Sequence, residues 1–168
     1  TPHQETHATN SHASASPTTD GSRVYAHFGS RGLYCYDFAG QLQWKRDDFE
    51  KMQTRMGFGE GSSPTLEGDK IILPWDHEGQ SWLYVLDKRN GETIWKVRRD
   101  EPTEWATPLV VDHAGKKQIV MNGENYARAY DLETGAELWR CSGQTSRPAA
   151  SPVAAAGLVY VGSGLRGS

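Results

Sequence analysis

The chain has 168 residues, of which 36% are hydrophobic, and its formal net charge is -3. This charge, without any run of Lys or Arg, argues against nucleic acid as a partner. No apolar run approaches the ~20 residues that cross a bilayer, so we expect no membrane insertion.

The first predicted element is a polar leader over residues 1–13. Its first twelve positions contain a single Ala as their only hydrophobic residue. A segment of this composition does not form a strand of a packed sheet, so we interpret it as a linker. Because the chain begins at Thr1 without Met and stops at Ser168 in a predicted turn, we expect neither end to be a natural terminus.

A tandem repeat follows the leader. Four times the chain has a small residue, then Ser or Thr, then Pro, at spacings of 47, 44 and 44 residues. Three of these prolines are followed by Asp, Gly and Trp in the same order. Such a period marks one supersecondary unit that buries its faces against copies of itself. The repeated positions are Pro17, Asp37, Gly40 and Trp44; Pro64, Asp87, Gly91 and Trp95; Pro108, Asp131, Gly135 and Trp139; and Pro152.

Each repeat is predicted to form four short antiparallel strands. In the second repeat they lie at residues 61–66, 70–75, 82–87 and 92–97, with turn residues between them. Successive residues of the third strand, such as Val85 and Leu86, are both apolar, so both faces of the sheet need covering. Repeats of ~40–50 residues with four strands are typical of β-propeller blades.

The prediction is therefore an all-β chain, an open arc of about three and a half propeller blades from a larger ring. The polar leader is too polar to supply the strands missing from the last blade. Uncovered strand edges and apolar faces favour association. We expect the remaining blades of the same protein, or a second chain, to cover them. The segments are blade 1 over 14–46, an inter-blade loop over 47–60, blade 2 over 61–97, blade 3 over 105–141, and the first half of blade 4 over 149–168.

The shared residues have structural roles in this interpretation. The Asp accepts hydrogen bonds from backbone N–H groups ahead of it, and the Gly supplies the positive φ that lets the hairpin turn back. The Trp of the outermost strand packs against the next blade while its N–H bonds a backbone carbonyl. The Ser/Thr-Pro pair begins the innermost strand, an edge on which Pro is tolerated. Cys35 and Cys141 are predicted to be unpaired, mostly buried thiols.

The turns between second and third strands are polar and share one rim of a propeller. We therefore select them as candidate sites for ligand or protein binding. Asp76, His77 and Glu78 are three potential metal ligands in a row, but neighbours in extended backbone point alternately, and a solvated loop tip is the favoured alternative. The loop over 47–60 either caps its own core or meets a partner. The rim candidates are His27, Arg31, Asp76, His77, Glu78, Asn122, Glu124 and Asn125.

The repeat resembles that of the pyrroloquinoline-quinone-like (PQQ-like) β-propeller family. The resemblance rests on Asp-Leu-Glu-Thr-Gly-Ala-Glu-Leu-Trp at 131–139, Asp-Lys-Arg-Asn-Gly-Glu-Thr-Ile-Trp at 87–95 and Tyr-Asp-Phe-Ala-Gly-Gln-Leu-Gln-Trp at 36–44. It implies a ring of about seven or eight blades joined by tryptophan docking. The family has one branch of quinoprotein dehydrogenases, with PQQ and calcium at the axis. Its other branch contains non-catalytic scaffolds, such as an outer-membrane assembly lipoprotein.

The leading hypothesis is a non-catalytic scaffold for protein or ligand binding, bacterial and periplasmic or extracellular by resemblance. The resemblance implies that members of the dehydrogenase branch have a vicinal Cys-Cys pair. In this chain Cys35 and Cys141 are far apart. We therefore assign no catalytic, cofactor-binding or metal-binding residue in this segment. The alternative is a segment of a quinoprotein alcohol or sugar dehydrogenase, with PQQ and calcium held by residues outside it.

Overall fold

The computed structural model describes residues 6–12 and 14–164. Residues 1–5 and 13 of the predicted leader, and residues 165–168 of the predicted half blade, lie outside the described residues. The described ranges contain three four-stranded sheets and one two-stranded sheet. The strands are β1 (Thr18–Thr19), β2 (Arg23–His27), β3 (Leu33–Asp37), β4 (Leu42–Arg46), β5 (Thr65–Glu67), β6 (Lys70–Trp75), β7 (Ser81–Asp87), β8 (Thr93–Arg99), β9 (Leu109–His113), β10 (Lys116–Met121), β11 (Ala127–Asp131), β12 (Glu137–Cys141), β13 (Val153–Ala155) and β14 (Leu158–Tyr160).

Within each sheet the strands follow chain order and pair antiparallel, which is the meander of a propeller blade. The predicted all-β arc of three complete blades and a half blade is confirmed. The described helical structure consists of two short 3-10 turns, Gly29–Arg31 and Arg55–Gly57. In the described ranges, no helix is both long and apolar enough to cross a membrane.

Alternate residues of the second strand of blade 2 enter two different cores. Ile71, Leu73 and Trp75 pack against blade 1, where they meet Cys35 among other residues. Ile72, between them, packs against blade 3. Because successive side chains of a strand point to opposite faces, one sheet supplies both cores. The blades are therefore held together by apolar packing on both faces of the middle sheet.

Asp and Gly form the turn between third and fourth strands in all three blades. In blade 3, Oδ1 of Asp131 accepts the backbone N–H groups of Glu133 (2.9 Å) and Thr134 (2.8 Å). The N–H of Gly135 donates to the carbonyl of Asp131 (2.9 Å), and Gly135 has a φ of 74°. A side chain other than glycine adopts this φ at a cost, which explains the repeated glycine. The equivalent glycines, Gly40 and Gly91, have φ of 78° and 77°.

Two of the repeated tryptophans bridge neighbouring blades. Nε1 of Trp44 donates to the carbonyl of Lys88 (3.1 Å), and Nε1 of Trp95 donates to that of Leu132 (3.0 Å). Each acceptor follows the repeat Asp of the next blade. Trp139 instead bonds Oε1 of Gln118 in its own blade (3.1 Å) and is 37% exposed. Two strands lie beyond blade 3 in the described residues, and they do not include the position that would receive this indole.

A second connection runs along the inner strands. The backbone N–H of Ser16 donates to Oγ of Ser63 (2.9 Å), that of Ser63 to Oγ1 of Thr107 (3.4 Å), and that of Thr107 to Oγ of Ser151 (2.9 Å). We call this series the hydroxyl ladder. Each first strand begins immediately after the repeated Pro, so the Ser/Thr-Pro pair precedes the strand rather than beginning it. The pair lies outside the sheet because its polar groups bond the neighbouring blades.

The two thiols differ. Cys35, on β3, is fully buried, and burial raises the pKa of its thiol. Cys141 is exposed, so its predicted burial is wrong. The reason is its place at the end of β12, the outermost strand of blade 3, whose five residues are all exposed.

Candidate functional site

Most of the buried polar side chains lie at one rim of the arc. Because the strands alternate in direction, the turns from second to third strands lie at the same end as the connections between blades. We call this end the polar rim. It comprises the turns at residues 28–32, 76–80 and 122–126 and the connections at residues 47–64, 100–108 and 142–152.

A buried ion pair lies where blade 2 meets blade 3. Nε of Arg99 lies 2.9 Å from Oδ1 of Asp76, and Nη1 of Arg99 donates to the hydroxyl of Tyr130 (2.8 Å). Burial raises the pKa of Asp76, and the charge of Arg99 opposes that rise. Asp76 and His77 are only 4% and 1% exposed, so the expectation of a solvated loop tip is wrong for them, whereas Glu78 is exposed. The turn folds inward because Arg99, at the end of β8, supplies its counter-charge.

His77 is buried and fixes the same turn. Its Nδ1 accepts the backbone N–H groups of Gln53 (3.2 Å) and Gly79 (3.2 Å), and its Nε2 pairs with the carbonyl of Gln80 (3.1 Å). Both ring nitrogens are therefore engaged with backbone. In the described residues, no three His, Cys, Asp or Glu side chains are grouped so that they could hold a metal ion. Asp76, His77 and Glu78 therefore belong to a turn with a structural role.

Arg55, from the first inter-blade connection, joins the rim turns of blades 2 and 3. Its Nε lies 3.2 Å from Oε1 of Glu78, and its Nη1 lies 2.7 Å from Oε2 of Glu124. Glu78 also accepts the hydroxyl of Thr103 (2.8 Å). Although burial opposes ionisation, these hydrogen bonds and the charge of Arg55 lower the pKa of Glu78. Two of the predicted rim residues are thus brought together by a third residue that the sequence did not single out.

The first inter-blade connection also caps the core between blades 1 and 2. Phe49 and Met52 are buried there, and Nε1 of Trp75 donates to the carbonyl of Glu50 (3.0 Å). The capping alternative for the loop over 47–60 therefore describes its first half. Its second half, with Arg55, forms part of the polar rim.

A second buried cluster lies in blade 3. Oε1 of Glu101 lies 2.6 Å from Nη1 of Arg128, and Oε2 of Glu101 accepts the N–H of Asn125 (2.8 Å). Asn122 is fully buried and donates from Nδ2 to the carbonyls of Ala150 (3.1 Å) and Gly162 (2.8 Å), which binds the half blade. Arg99, Glu101 and Arg128 were not among the candidates. Only Arg128 had a signal in the sequence, as a basic residue among Ala127, Ala129 and Tyr130 of β11, whereas β8 contains Lys96 and Arg98 besides Arg99.

His27 and Glu104 line one small cavity under the rim. Nδ1 of His27 pairs with the carbonyl of Ser62 (3.2 Å), and Oε1 of Glu104 accepts the N–H of Glu124 (2.8 Å). Their other polar atoms, Nε2 and Oε2, have no hydrogen-bond partner among the described residues. Burial lowers the pKa of His27 to about 4 and, with the charge of Asp76, raises the pKa of Glu104 to about 9. Both groups are therefore neutral at neutral pH.

Arg31 stands apart from these clusters. It is exposed, and its carbonyl accepts the hydroxyl of Tyr34 (3.0 Å). The structure thus brings Asp76, His77, Glu78, Asn122, Glu124 and Asn125 into one connected rim, while His27 lies in the cavity beneath it and Arg31 lies on its exposed margin.

A pocket of about 580 Å³ opens beside this network. We call it the rim pocket, and six of its lining residues are Asn10, Phe58, Gly61, Trp105, Arg147 and Ala149. They come from the described part of the leader and from three inter-blade connections. Its volume falls in the range of small-ligand sites, about 300–1,000 Å³.

Comparisons with known proteins agree with this architecture. A family model described as outer membrane protein assembly factor BamB matches residues 3–167. The crystal structure of BamB from Moraxella catarrhalis is similar with a TM-score of 0.67 and 19% identity, over 88% of this chain and 46% of that chain. A quinohemoprotein alcohol dehydrogenase from Comamonas testosteroni is similar with a TM-score of 0.58 and 13% identity, over 86% of this chain and 31% of that chain.

Part of the chain also resembles a known protein in sequence. Methanol dehydrogenase [cytochrome c] subunit 1 from Methylorubrum extorquens is 27% identical over 89 residues, which are 49% of this chain and 13% of that protein. The chain therefore spans less than half the length of each of these relatives. The structural similarities, at these identities, concern the fold.

Proposed function

The chain belongs to the family described as outer membrane protein assembly factor BamB, whose PQQ-like propeller it shares, and on this premise we propose that it is a non-catalytic scaffold that binds protein through the polar rim. The observation that carries the proposal is Arg55, which joins Glu78 and Glu124 from turns of two different blades. Recognition surfaces are commonly loops carried by a rigid scaffold. Here the loops are fixed to one another across the blades.

The buried polar groups of the rim support this proposal. Asp76 pairs with Arg99, Glu101 pairs with Arg128, and both ring nitrogens of His77 engage backbone groups. Groups whose hydrogen-bonding capacity is used within the protein stabilise it, whereas a catalytic acid or base needs a free atom facing substrate. Nε2 of His27 and Oε2 of Glu104, which have no partner among the described residues, face a cavity of only about 10 Å³, which is too small for a substrate. The network therefore suits a rigid binding surface.

The family description suggests where such a scaffold acts. BamB is described as an assembly factor of outer membrane proteins, and on that analogy we place this protein outside the cytoplasm of a bacterium. We also propose that docked tryptophans join all blades of the ring. In that ring, a further sheet covers Trp139 and the exposed apolar side chains of the half blade, Val153, Leu158 and Tyr160.

A quinoprotein dehydrogenase is the second candidate. The 27% identity to a methanol dehydrogenase subunit favours it. PQQ and calcium, however, do not fit the described residues well. Cys35 lies in the core between blades 1 and 2 and Cys141 on the outer strand of blade 3, so they form no vicinal pair. The described residues also group no three acidic, His or Cys side chains as a metal site.

Site-specific photo-crosslinking in bacterial cells tests the proposal. A benzoylphenylalanine would replace Asn125 on the polar rim or, as the control, Asp69 on the opposite rim; both positions are exposed. We expect Asn125, but not Asp69, to yield a discrete adduct with another protein. Equal adducts from both rims, or none from Asn125, would contradict it. Dye reduction that depends on added PQQ and calcium would support the dehydrogenase instead.

A further inference from the structure

The rim pocket contains a cation, Arg147, that has no counter-charge among the described residues. The guanidinium of Arg147 lies over the ring of Phe58, 5.5 Å from its centroid, and its Nη2 lies 3.2 Å from Sδ of Met56. No carboxylate among the described residues lies within ion-pair distance of this guanidinium. Arg55, by contrast, has two carboxylate partners on the same rim. A half-buried guanidinium with free N–H groups is suited to bind a carboxylate.

The walls beside Arg147 are aromatic. The rings of Phe58 and Trp105 meet edge to face, with centroids 6.2 Å apart. Nε1 of Trp105 already donates to the carbonyl of Gly59 (2.9 Å), so the ring offers an apolar surface to the pocket. Gly61 permits this position of the indole, because a Cβ there would lie 3.1 Å from Cδ1 of Trp105. Apolar or aromatic side chains of a ligand would pack against these two rings.

The backbone at two residues beside the rim pocket is strained. Arg147 and Met56, whose side chains are in contact, have positive φ of 62° and 53°. Such backbone is costly for side chains other than glycine, and it is found at ligand-binding sites more often than elsewhere. The N–H of Arg147 donates to Oε2 of Glu124 (3.2 Å), the carboxylate that also pairs with Arg55. The pocket is therefore fixed to the same network that joins the rim turns.

We propose that the rim pocket binds an Asp or Glu side chain of a partner polypeptide together with an adjacent aromatic or apolar side chain. The carboxylate lies against the guanidinium of Arg147, and the apolar group lies on Phe58 and Trp105. Charge complementarity selects this occupant, because the pocket combines one cation with aromatic walls. The proposal rests on the proposed function, since it names the chemistry by which the rim recognises protein.

Peptide titration tests it directly. The probe is acetyl-Gly-Phe-Glu-Phe-Gly-amide, and its control has Gln in place of Glu. The signal followed is the indole N–H resonance of Trp105, identified with the variant Trp105→Phe. The two protein variants are Arg147→Gln and, as a matched control, Arg31→Gln, which removes an exposed arginine of the same rim outside the pocket.

We expect millimolar or somewhat tighter binding of the Glu peptide, as is usual for so small a ligand. The Gln peptide and Arg147→Gln should each weaken binding about tenfold, while Arg31→Gln changes it less than twofold. Equal binding of both peptides, equal effects of both variants, or an unmoved Trp105 signal would overturn the proposal. Displacement of the peptide by a stoichiometric amount of PQQ would overturn it as well.

The two proposals can fail separately. An adduct at Asn125 without peptide binding would remove the acidic specificity and leave the scaffold. Peptide binding without an adduct from Asn125 would remove protein binding through the rim and leave an acidic-ligand pocket.

Discussion

Nε of Arg99 lies 2.9 Å from Oδ1 of Asp76, and neither side chain has any exposed surface. Arg99 belongs to the outermost strand of blade 2 and Asp76 to the turn between its second and third strands. Through Nη1, Arg99 also reaches Tyr130 of blade 3. Moving two charges out of water is costly, and their mutual attraction offsets that cost only while both are present.

Asp76→Ala should therefore be strongly destabilising. It leaves Arg99 charged and without its partner in the interior, for which we expect a loss of about 3–5 kcal/mol in the free energy of unfolding. The matched control is Lys45→Ala, which removes an exposed pair with Asp47 (2.7 Å) and should leave the free energy of unfolding almost unchanged. Urea unfolding followed by tryptophan fluorescence measures both. Equal losses would contradict the burial of the Asp76–Arg99 pair.

Stability should fall as pH rises from 6.5 to 9 because of Glu104. Its pKa is about 9 in the folded protein, against an ordinary value of 4.5, so the folded state keeps a proton that the unfolded state has released. Stability from this group is complete below pH 4.5 and is lost as pH rises through 9, with a limiting slope of about 1.4 kcal/mol per pH unit. Glu104→Gln should remove this fall, whereas Glu92→Gln, at an exposed turn, should retain it. Urea midpoints at half-unit pH steps measure it, and an unchanged slope in Glu104→Gln would contradict the prediction.

His27 has the opposite effect on the pH dependence of stability, and this effect falls at acidic pH. Its pKa is lowered from 6.5 to about 4, so the unfolded state binds a proton that the folded state refuses. Stability from His27 is present above pH 6.5 and is lost as pH falls through 4. Between 4.5 and 6.5 the two groups should nearly cancel in the wild type. In Glu104→Gln this cancellation disappears, so stability should rise with pH over that interval.

Gly91 and Gly40 should differ on substitution although they are equivalent in the repeat. A Cβ on Gly91 would lie 2.8 Å from the ring of Trp44, whereas a Cβ on Gly40 would meet nothing within 4 Å. Both have positive φ, so both substitutions by Ala carry the same backbone cost of about 1 kcal/mol. Gly91→Ala should lose a further 1–3 kcal/mol or so, because the indole must move. Thermal unfolding of the two variants compares them, and equal losses would argue against close packing of Trp44 on Gly91.

The two thiols should react at very different rates. Cys141 is exposed and Cys35 is fully buried with a raised pKa, and the thiolate is the reactive form. Ellman's reagent should label one thiol of the folded protein quickly and the second only on unfolding. Cys141→Ser should abolish the fast phase, and Cys35→Ser should leave it intact. Two fast thiols would place Cys35 outside the core.

The fold could be predicted from the repeat, because period, apolar alternation and turn residues are local properties of the chain. Asp131, Gly135 and Trp139 needed no partner to be recognised. The rim could not be predicted in the same way. Asp76 looked solvated, because its counter-charge, Arg99, stands 23 positions later and meets it only once the blade has closed. Burial of a charge depends on such distant partners.

Arg147 was missed for a related reason. The pocket that surrounds it takes its walls from separate inter-blade connections, and no spacing in the sequence places them together. The Ser/Thr-Pro pair was interpreted as the start of the innermost strand, whereas the hydroxyls of Ser63, Thr107 and Ser151 each accept an amide hydrogen of the preceding blade. In both cases the sequence contains the residues, and the curvature of the arc decides which of them meet.

The hydroxyl ladder has a direction, since every amide along it donates from one blade to the hydroxyl of the next. The bridging indoles donate in the same sense. A sheet added at either end can continue both series only head to tail. Two arcs related by rotation about the axis of the ring would match donors with acceptors at both junctions. Two arcs that met through the same end would place donors opposite donors. Each junction between blades therefore fixes the direction in which further blades can be added.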